Sequence, residues 1–184
     1  MQSRPPNTWR MFYLLTHWNR LFNTDCVVIT VGEHTVYPIF RNGWSSLNAV
    51  TKDKYLNEQI GQCQHIDVLI RKPKERFVSG VNEYCRQHNL DLESTYQSIV
   101  AEEIIDRHFT PQSIWLLHLY KYYKGKVTLR NFAYLKNITD THLNKSKSKT
   151  EVEVPDKFTD TDEKLMPYID KTVSIGEIIK NVLP

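Results

Sequence analysis

The sequence predicts an α/β fold, a three-layer domain whose central, largely parallel sheet is flanked by helices. Three observations predict it. Strand-like apolar runs alternate with helix-period segments through the middle of the chain, the pattern that parallel strands with crossover helices produce. Two of those runs, ending at Arg41 and at Arg71, lead directly into a turn and a helix start. The 184 residues, 40% hydrophobic and 24% charged, match one globular domain with a substantial core.

The elements follow in order. Met11, Leu14, Leu15, Trp18 and Leu21 or Phe22 recur at helical spacing, so residues 8–22 are expected to form an N-terminal helix with Thr8 as its cap. Cys26 to Val31 is a short apolar strand. Gly32-Glu33-His34 is a turn, and Thr35 to Phe40 a second strand. A short helix follows Trp44, then a polar segment, Thr51 to Gln64, before a strand at His65 to Ile70. A helix from Pro73 to about His88 places Phe77, Val81, Tyr84 and Cys85 on one face. Another starts at Asn89 or Asp91, with Tyr96, Ile99, Val100 and Ile104 inward. Thr110-Pro111 reads as the N-cap and first residue of a third helix, which Gly125 ends. Lys126 to Leu129 is a strand with Phe132 to Leu135 close behind. The core is expected within residues 27–150. A polar tail over 150–184 holds one short helix, from about Ser174 to Val182.

Two stretches carry the chemistry. In Tyr37-Pro-Ile-Phe-Arg-Asn-Gly-Trp-Ser-Ser-Leu47 an apolar run meets a cation, a glycine and two hydroxyls before a helix. Unsatisfied N–H groups and the helix dipole make such a terminus attractive to an anion. Gly43 permits close approach of the backbone, and Arg41 adds a fixed charge. One glycine and no lysine before the serines distinguish it from a Walker A loop. In Asp67-Val-Leu-Ile-Arg-Lys-Pro-Lys-Glu-Arg-Phe-Val-Ser-Gly80, Arg71 stands at a strand end and Ser79 lies two turns along the next helix, placed to converge on a second anion.

Together these stretches resemble the paired nucleotide-binding motifs of sulfotransferases that use 3′-phosphoadenosine 5′-phosphosulfate (PAPS). Arg41-Asn-Gly-Trp-Ser-Ser46 resembles the K-x-[GA]-x-[TS]-x element that grips the 5′-phosphosulfate, with arginine in place of lysine. Arg71-Lys-Pro-Lys-Glu-Arg-Phe-Val-Ser-Gly80 matches R-x-P-x-x-R-x-x-S-G, which grips the 3′-phosphate, at every fixed position. His108-Phe-Thr-Pro-Gln112 resembles an element of the carbohydrate-sulfotransferase branch.

The resemblance implies a P-loop-like three-layer domain, PAPS as donor and 3′-phosphoadenosine 5′-phosphate (PAP) as product. It implies transfer to an acceptor hydroxyl of a small molecule or a carbohydrate. Asn42, Gly43, Trp44, Ser45 and Ser46 would cradle the 5′-phosphate, and Arg41 would meet the charge on the leaving group. Arg71 and Ser79 would hold the 3′-phosphate; Arg76 is a further candidate, against which stands the ordinary reading of an exposed, solvated helix arginine. Lys145, in a basic run at 145–149, would close over the nucleotide. His108 is the candidate general base, because an imidazole can take a hydroxyl proton near neutral pH. His65, His34 and Glu58 are further candidates for that role. Arginine cannot readily lend a proton to the bridging oxygen. A non-catalytic PAPS- or PAP-binding relative is therefore an alternative reading, with a nucleotide-dependent kinase and a basic RNA-binding module as more distant ones.

Other features bound these readings. The net charge of +3 suits an anionic ligand and does not itself argue for nucleic acid. The histidines are scattered without ligand spacing, so no metal is expected. Cys26, Cys63 and Cys85 are widely spaced and without a CxxC, as buried thiols in a reducing compartment would be. No apolar run approaches the roughly 18 residues of a membrane span, and the opening residues are polar. A soluble, cytoplasmic protein without a membrane partner is the expectation. Acceptor identity and oligomeric state stay open.

Overall fold

The computed structural model of the chain describes residues 14–139 and 153–183. It is α/β, with a six-stranded sheet in the order β3-β1-β2-β4-β5-β6. The strands are β1 (Val27–Val31), β2 (His34–Tyr37), β3 (Asp53–Leu56), β4 (His65–Ile70), β5 (Lys126–Asn131) and β6 (Thr172–Ser174). The helices are α1 (Trp18–Leu21), α2 (Trp44–Val50), α3 (Pro73–His88), α4 (Leu92–Val100), α5 (Gln112–Tyr122), α6 (Leu135–Thr139), α7 (Asp160–Glu163) and α8 (Ile175–Val182).

The sheet is mixed rather than largely parallel. Only the centre, β2-β4-β5, is parallel; β1 runs antiparallel to β2 and β3, and β6 antiparallel to β5. The reason is local: two residues, Gly32 and Glu33, join β1 to β2, and a connection that short permits only an antiparallel hairpin. The parallel steps β2 to β4 and β4 to β5 have the long crossovers such pairing needs, through α2 and through α3 to α5.

Alternation along the strands feeds two clusters. Val28, Tyr37, Ile66, Val68, Ile70, Val127 and Leu129 pack with Ile114, Trp115, Leu116 and Leu119 of α5 and Ile175, Ile178 and Val182 of α8. Ile29, Val31, Val36 and Leu69 pack with Leu47 of α2 and Leu135 and Ile138 of α6. A third cluster joins Phe77, Val81 and Cys85 of α3 to Ile99, Phe109, Val154 and Phe158.

Several local expectations are corrected. The polar segment 51–64 contains the edge strand β3, whose side chains are mostly exposed, and a 3-10 helix, Asn57–Gln62. Phe132 to Leu135 is not a strand but a 3-10 turn running into α6, started by the Asn131 side chain accepting from Ala133 N–H at 2.9 Å. The third helix begins one residue late, with Pro111 at its N-cap. Thr110 does not cap it, because its hydroxyl donates to Asp106 O at 2.8 Å. The expected tail is built into the molecule, with Val154, Phe158, Leu165, Ile175, Ile178 and Val182 all buried. Residues 14–16 and α1 are helical; the earlier part of the expected N-terminal helix lies outside the described residues. Cys26 and Cys85 are buried, Cys63 is half-buried, and all three are free. Among the described residues no helix is long and apolar enough to cross a membrane.

Candidate functional site

The two chemistry-bearing stretches lie side by side beyond the carboxyl ends of the parallel strands β2 and β4, where ligands of such sheets bind. In the first, Phe40 to Gly43 form a turn before α2, and the backbone is left-handed at Arg41 (φ 68°) and at Gly43 (φ 87°). Gly43 suits that conformation, and a Cβ there would also stand 2.7 Å from Leu135 Cδ2. Trp44 is half-buried, Ser45 exposed and Ser46 half-buried in the first turn of the helix. Asn42 is fully buried and serves the fold. Its Nδ2 donates to Leu69 O at 2.7 Å and to Gln112 Oε1 at 2.6 Å.

In the second stretch Pro73 opens α3 at its first position. Arg76, expected on the exposed face, is 2% exposed. Its Nη1 donates to Thr110 O at 2.5 Å, while Nε and Nη2 have no hydrogen-bond partner among the described residues. Burial lowers its pKa to about 10, against the pull of Asp162, so the guanidinium stays charged at neutral pH. Burial also lowers the pKa of Arg71, with Glu75 opposing and Arg41 reinforcing. Arg71 Nε is buried 3.8 Å from Glu75 Oε2, and the guanidinium lies over Phe132, 5.3 Å from the ring centroid.

The two stretches meet at Ser79. Its hydroxyl, 5% exposed, accepts from Arg41 Nη2 at 2.8 Å and from Arg41 Nε at 3.1 Å. One turn further along α3, Glu83 Oε2 lies 3.5 Å from Arg41 Nη1. Glu83 also accepts from Arg86 and from Gln87, and hydrogen bonding by Arg86 above all holds its carboxyl at about 2, against burial that raises it. Arg41 adds to the lowering of the Arg71 pKa, and Arg41 and Arg71 both add to that of Arg76, so the three guanidiniums lie within electrostatic reach of one another.

Gln112 ties both stretches to the fold. Its Oε1 accepts from Arg71 N–H at 2.9 Å and from Asn42, and its Nε2 donates to Arg71 O at 2.9 Å. The buried Asp162 of α7 fastens Gln112 in turn: its carboxylate accepts from the N–H groups of Gln112 (2.7 Å) and Ser113 (2.8 Å), capping α5 from fifty residues away. Burial raises the Asp162 pKa, while Arg76 and those two N–H groups oppose the rise.

His108 is held beside this cluster. Its Nδ1 lies 2.6 Å from Asp106 Oδ1, which also accepts from His108 N–H at 2.8 Å. Burial works to raise the Asp106 pKa, but the hydrogen bonds from His108 outweigh it and the net shift is downward. A carboxylate at Nδ1 fixes the neutral ring with its proton on that side and leaves Nε2 as the acceptor. The ring stands 5.4 Å from that of Phe40, the residue before Arg41. The His108 carbonyl presses on Gly80, where a Cβ would lie 2.1 Å from it. His108 therefore meets the first stretch through its ring, at Phe40, and the second through its carbonyl, at Gly80.

The other candidate bases are elsewhere. His34 and His65 open β2 and β4 and face Asp67, at 3.3 Å and 3.5 Å. A strand rises about 3.3 Å per residue, which puts His65 at the far end of β4 from Arg71. Glu58 is exposed on the 3-10 helix after the edge strand β3. Lys145 lies outside the described residues. No group of three or more His, Cys, Asp or Glu able to hold a metal occurs among the described residues.

Arg41, Arg71, Ser79 and His108 are thus brought into one neighbourhood. Asp106, Asp162 and Glu83 complete it without having been singled out from the sequence, and Gln112 proves to be its hub. Asp106-x-His108 is a signal the sequence carries; Asp162 has no local signature. In comparisons with known proteins, no family model, no curated protein and no solved structure matches the chain.

Proposed function

We propose that this protein is a sulfotransferase with a P-loop-like, three-layer domain, moving the sulfuryl group from PAPS to an acceptor hydroxyl, in one version that of a carbohydrate. The observation that carries the reading is that Arg41, bonded to Ser79, lies within electrostatic reach of Arg71 and Arg76, with two nitrogens of the buried Arg76 unpartnered among the described residues. A buried cation with orphaned donors is costly unless something accepts from them. A phosphate offers several oxygens and the opposite charge.

In this reading Arg71, Arg76 and Ser79 hold the 3′-phosphate. The backbone from Asn42 to Trp44 and the hydroxyls of Ser45 and Ser46 receive the 5′-phosphosulfate. The acceptor oxygen attacks sulfur in line as the bond from sulfur to the bridging oxygen breaks. His108 Nε2 takes the acceptor proton, and Arg41 meets the charge left on the 5′-phosphate. Asp106 keeps the imidazole in the tautomer this needs.

Calorimetric titration with PAP and with adenosine 5′-phosphate, on the wild type and Arg71→Ala, tests the reading. The expected result is preference for the bisphosphate, reduced roughly tenfold or more in the variant. Equal affinity for the two nucleotides, or no binding, would remove its basis. A second reading, a PAPS- or PAP-binding protein without turnover, is favoured by the arginine at position 41. It predicts binding as above, no transfer by the wild type, and transfer on Arg41→Lys.

A further inference from the structure

Arg41 is expected to serve the 5′ end of the donor, yet its side chain is docked across the site on α3. Two of its nitrogens donate to Ser79 Oγ and the third lies 3.5 Å from Glu83 Oε2. The backbone that aims it there is left-handed, an unusual state for a residue with a side chain and one found at switch and ligand-clamp positions. Glu83 itself is firmly placed. Arg86 Nε donates to its Oε2 at 3.0 Å and Gln87 Nε2 to its Oε1 at 2.9 Å, and its side chain is 16% exposed. Glu83 therefore keeps bonds of its own on α3 that do not depend on Arg41.

We infer that Glu83 is a resident counter-anion for Arg41, which an incoming phosphate or phosphosulfate must displace before the guanidinium can reach it. The inference rests on Arg41 being an anion-binding group, as in the reading above. Its consequence is a charge threshold. A carboxylate already paired with Arg41 is displaced only by a ligand that offers the guanidinium more negative charge, or more acceptors, than Glu83 does. Weak monoanions leave Arg41 docked. Multiply charged phosphates recruit it, and Ser79 is released at the same moment to donate to the ligand. One side-chain movement would then prepare both ends of the site.

The test is a double-mutant cycle on the full chain, Glu83→Gln, Arg41→Ala and the pair, each titrated calorimetrically with PAP and with inorganic pyrophosphate. Glutamine keeps the shape and one of the two oxygens to which Arg86 donates, while removing the charge. Glu83→Gln should bind either ligand roughly two- to tenfold more tightly than wild type, the range expected of a partly exposed ion pair. The gain should vanish in the Arg41→Ala background. Unchanged or weaker binding by Glu83→Gln would overturn the inference, as would a gain that persists without Arg41, or no binding of either ligand to any variant. A gain dependent on Arg41 with pyrophosphate, together with no preference for PAP over adenosine 5′-phosphate, would uphold Glu83 as counter-anion and refute the PAPS reading.

Discussion

The two strand-turn-helix stretches look alike in the sequence and differ in how they are held. The second is fixed on every side. Gln112 engages both backbone groups of Arg71, Pro73 opens a 16-residue helix, Arg76 is buried, and Gly80 is pressed against His108. The first feeds a 7-residue helix capped by a glycine without a side-chain bond, and its cation reaches across to α3. Rigid placement suits a group that recognises a ligand; a movable cation suits one that answers charge. Both stretches lean on α5 through one shared amide, and the first has a second anchor there. The second uses the amide of Gln112. The first uses Asn42 on that same amide, and Tyr37, whose hydroxyl lies 3.1 Å from His118 Nδ1.

The largest effect should come from Gly80. A Cβ there would lie 2.1 Å from the His108 carbonyl oxygen and 2.7 Å from its carbon, both backbone atoms that no rotamer change can move. Gly80→Ala should cost about 3 kcal/mol or more, at or above the top of the usual overpacking range, measured by denaturant unfolding. A loss under about 1 kcal/mol would mean that α3 and the 106–109 loop can part, and the second stretch would not be the rigid one.

A titration separates the anchors next. Burial, with Lys121 and Arg107 adding, lowers the His118 pKa from 6.5 to about 4. Between these values the unfolded chain binds a proton that the folded chain does not. Stability from this group is therefore full above pH 6.5 and is lost as pH falls toward 4. The loss is on the order of 3 kcal/mol. In His118→Gln that slope should flatten. Hydrogen exchange should show amides of 40–47 losing protection before those of 71–80, since only the first stretch rests on the Tyr37–His118 contact that the proton disturbs. Simultaneous loss in both stretches would erase the distinction between the anchors.

How much of this was legible in the sequence depends on whether the signal was local. β4, α3 and the Ser174–Val182 region read directly, because each carries its period and its punctuation. The burial of Arg76 does carry a local signal: Pro73, Arg76, Phe77, Gly80 and Val81 follow helical spacing and are all buried. An arginine in the middle of that stripe marks a buried charge. The two-residue link at Gly32-Glu33 likewise implied an antiparallel pair, which the alternation of strands and helices obscured. Asp162 is different. It caps α5 and fastens Gln112 from a segment whose own composition is merely acidic. Contacts of that range arise from the fold and leave no trace in local pattern.

The smallest effect sharpens the comparison most, because Gly43 is the counterpart of Gly80. A Cβ at Gly43 would stand 2.7 Å from Cδ2 and 3.1 Å from Cδ1 of the buried Leu135, side-chain atoms that can shift where the His108 backbone cannot. The remaining cost is the left-handed backbone, φ 87°, which disfavours alanine by roughly 1–2 kcal/mol. Gly43→Ala should therefore lose about 1–2 kcal/mol on unfolding, well short of Gly80→Ala. If the two losses are equal, the first turn is clamped as tightly as the second, and Arg41 has no freedom to leave Glu83. If Gly43→Ala is the milder, the turn can yield around an intact second stretch, which is what displacement of Glu83 by a ligand requires.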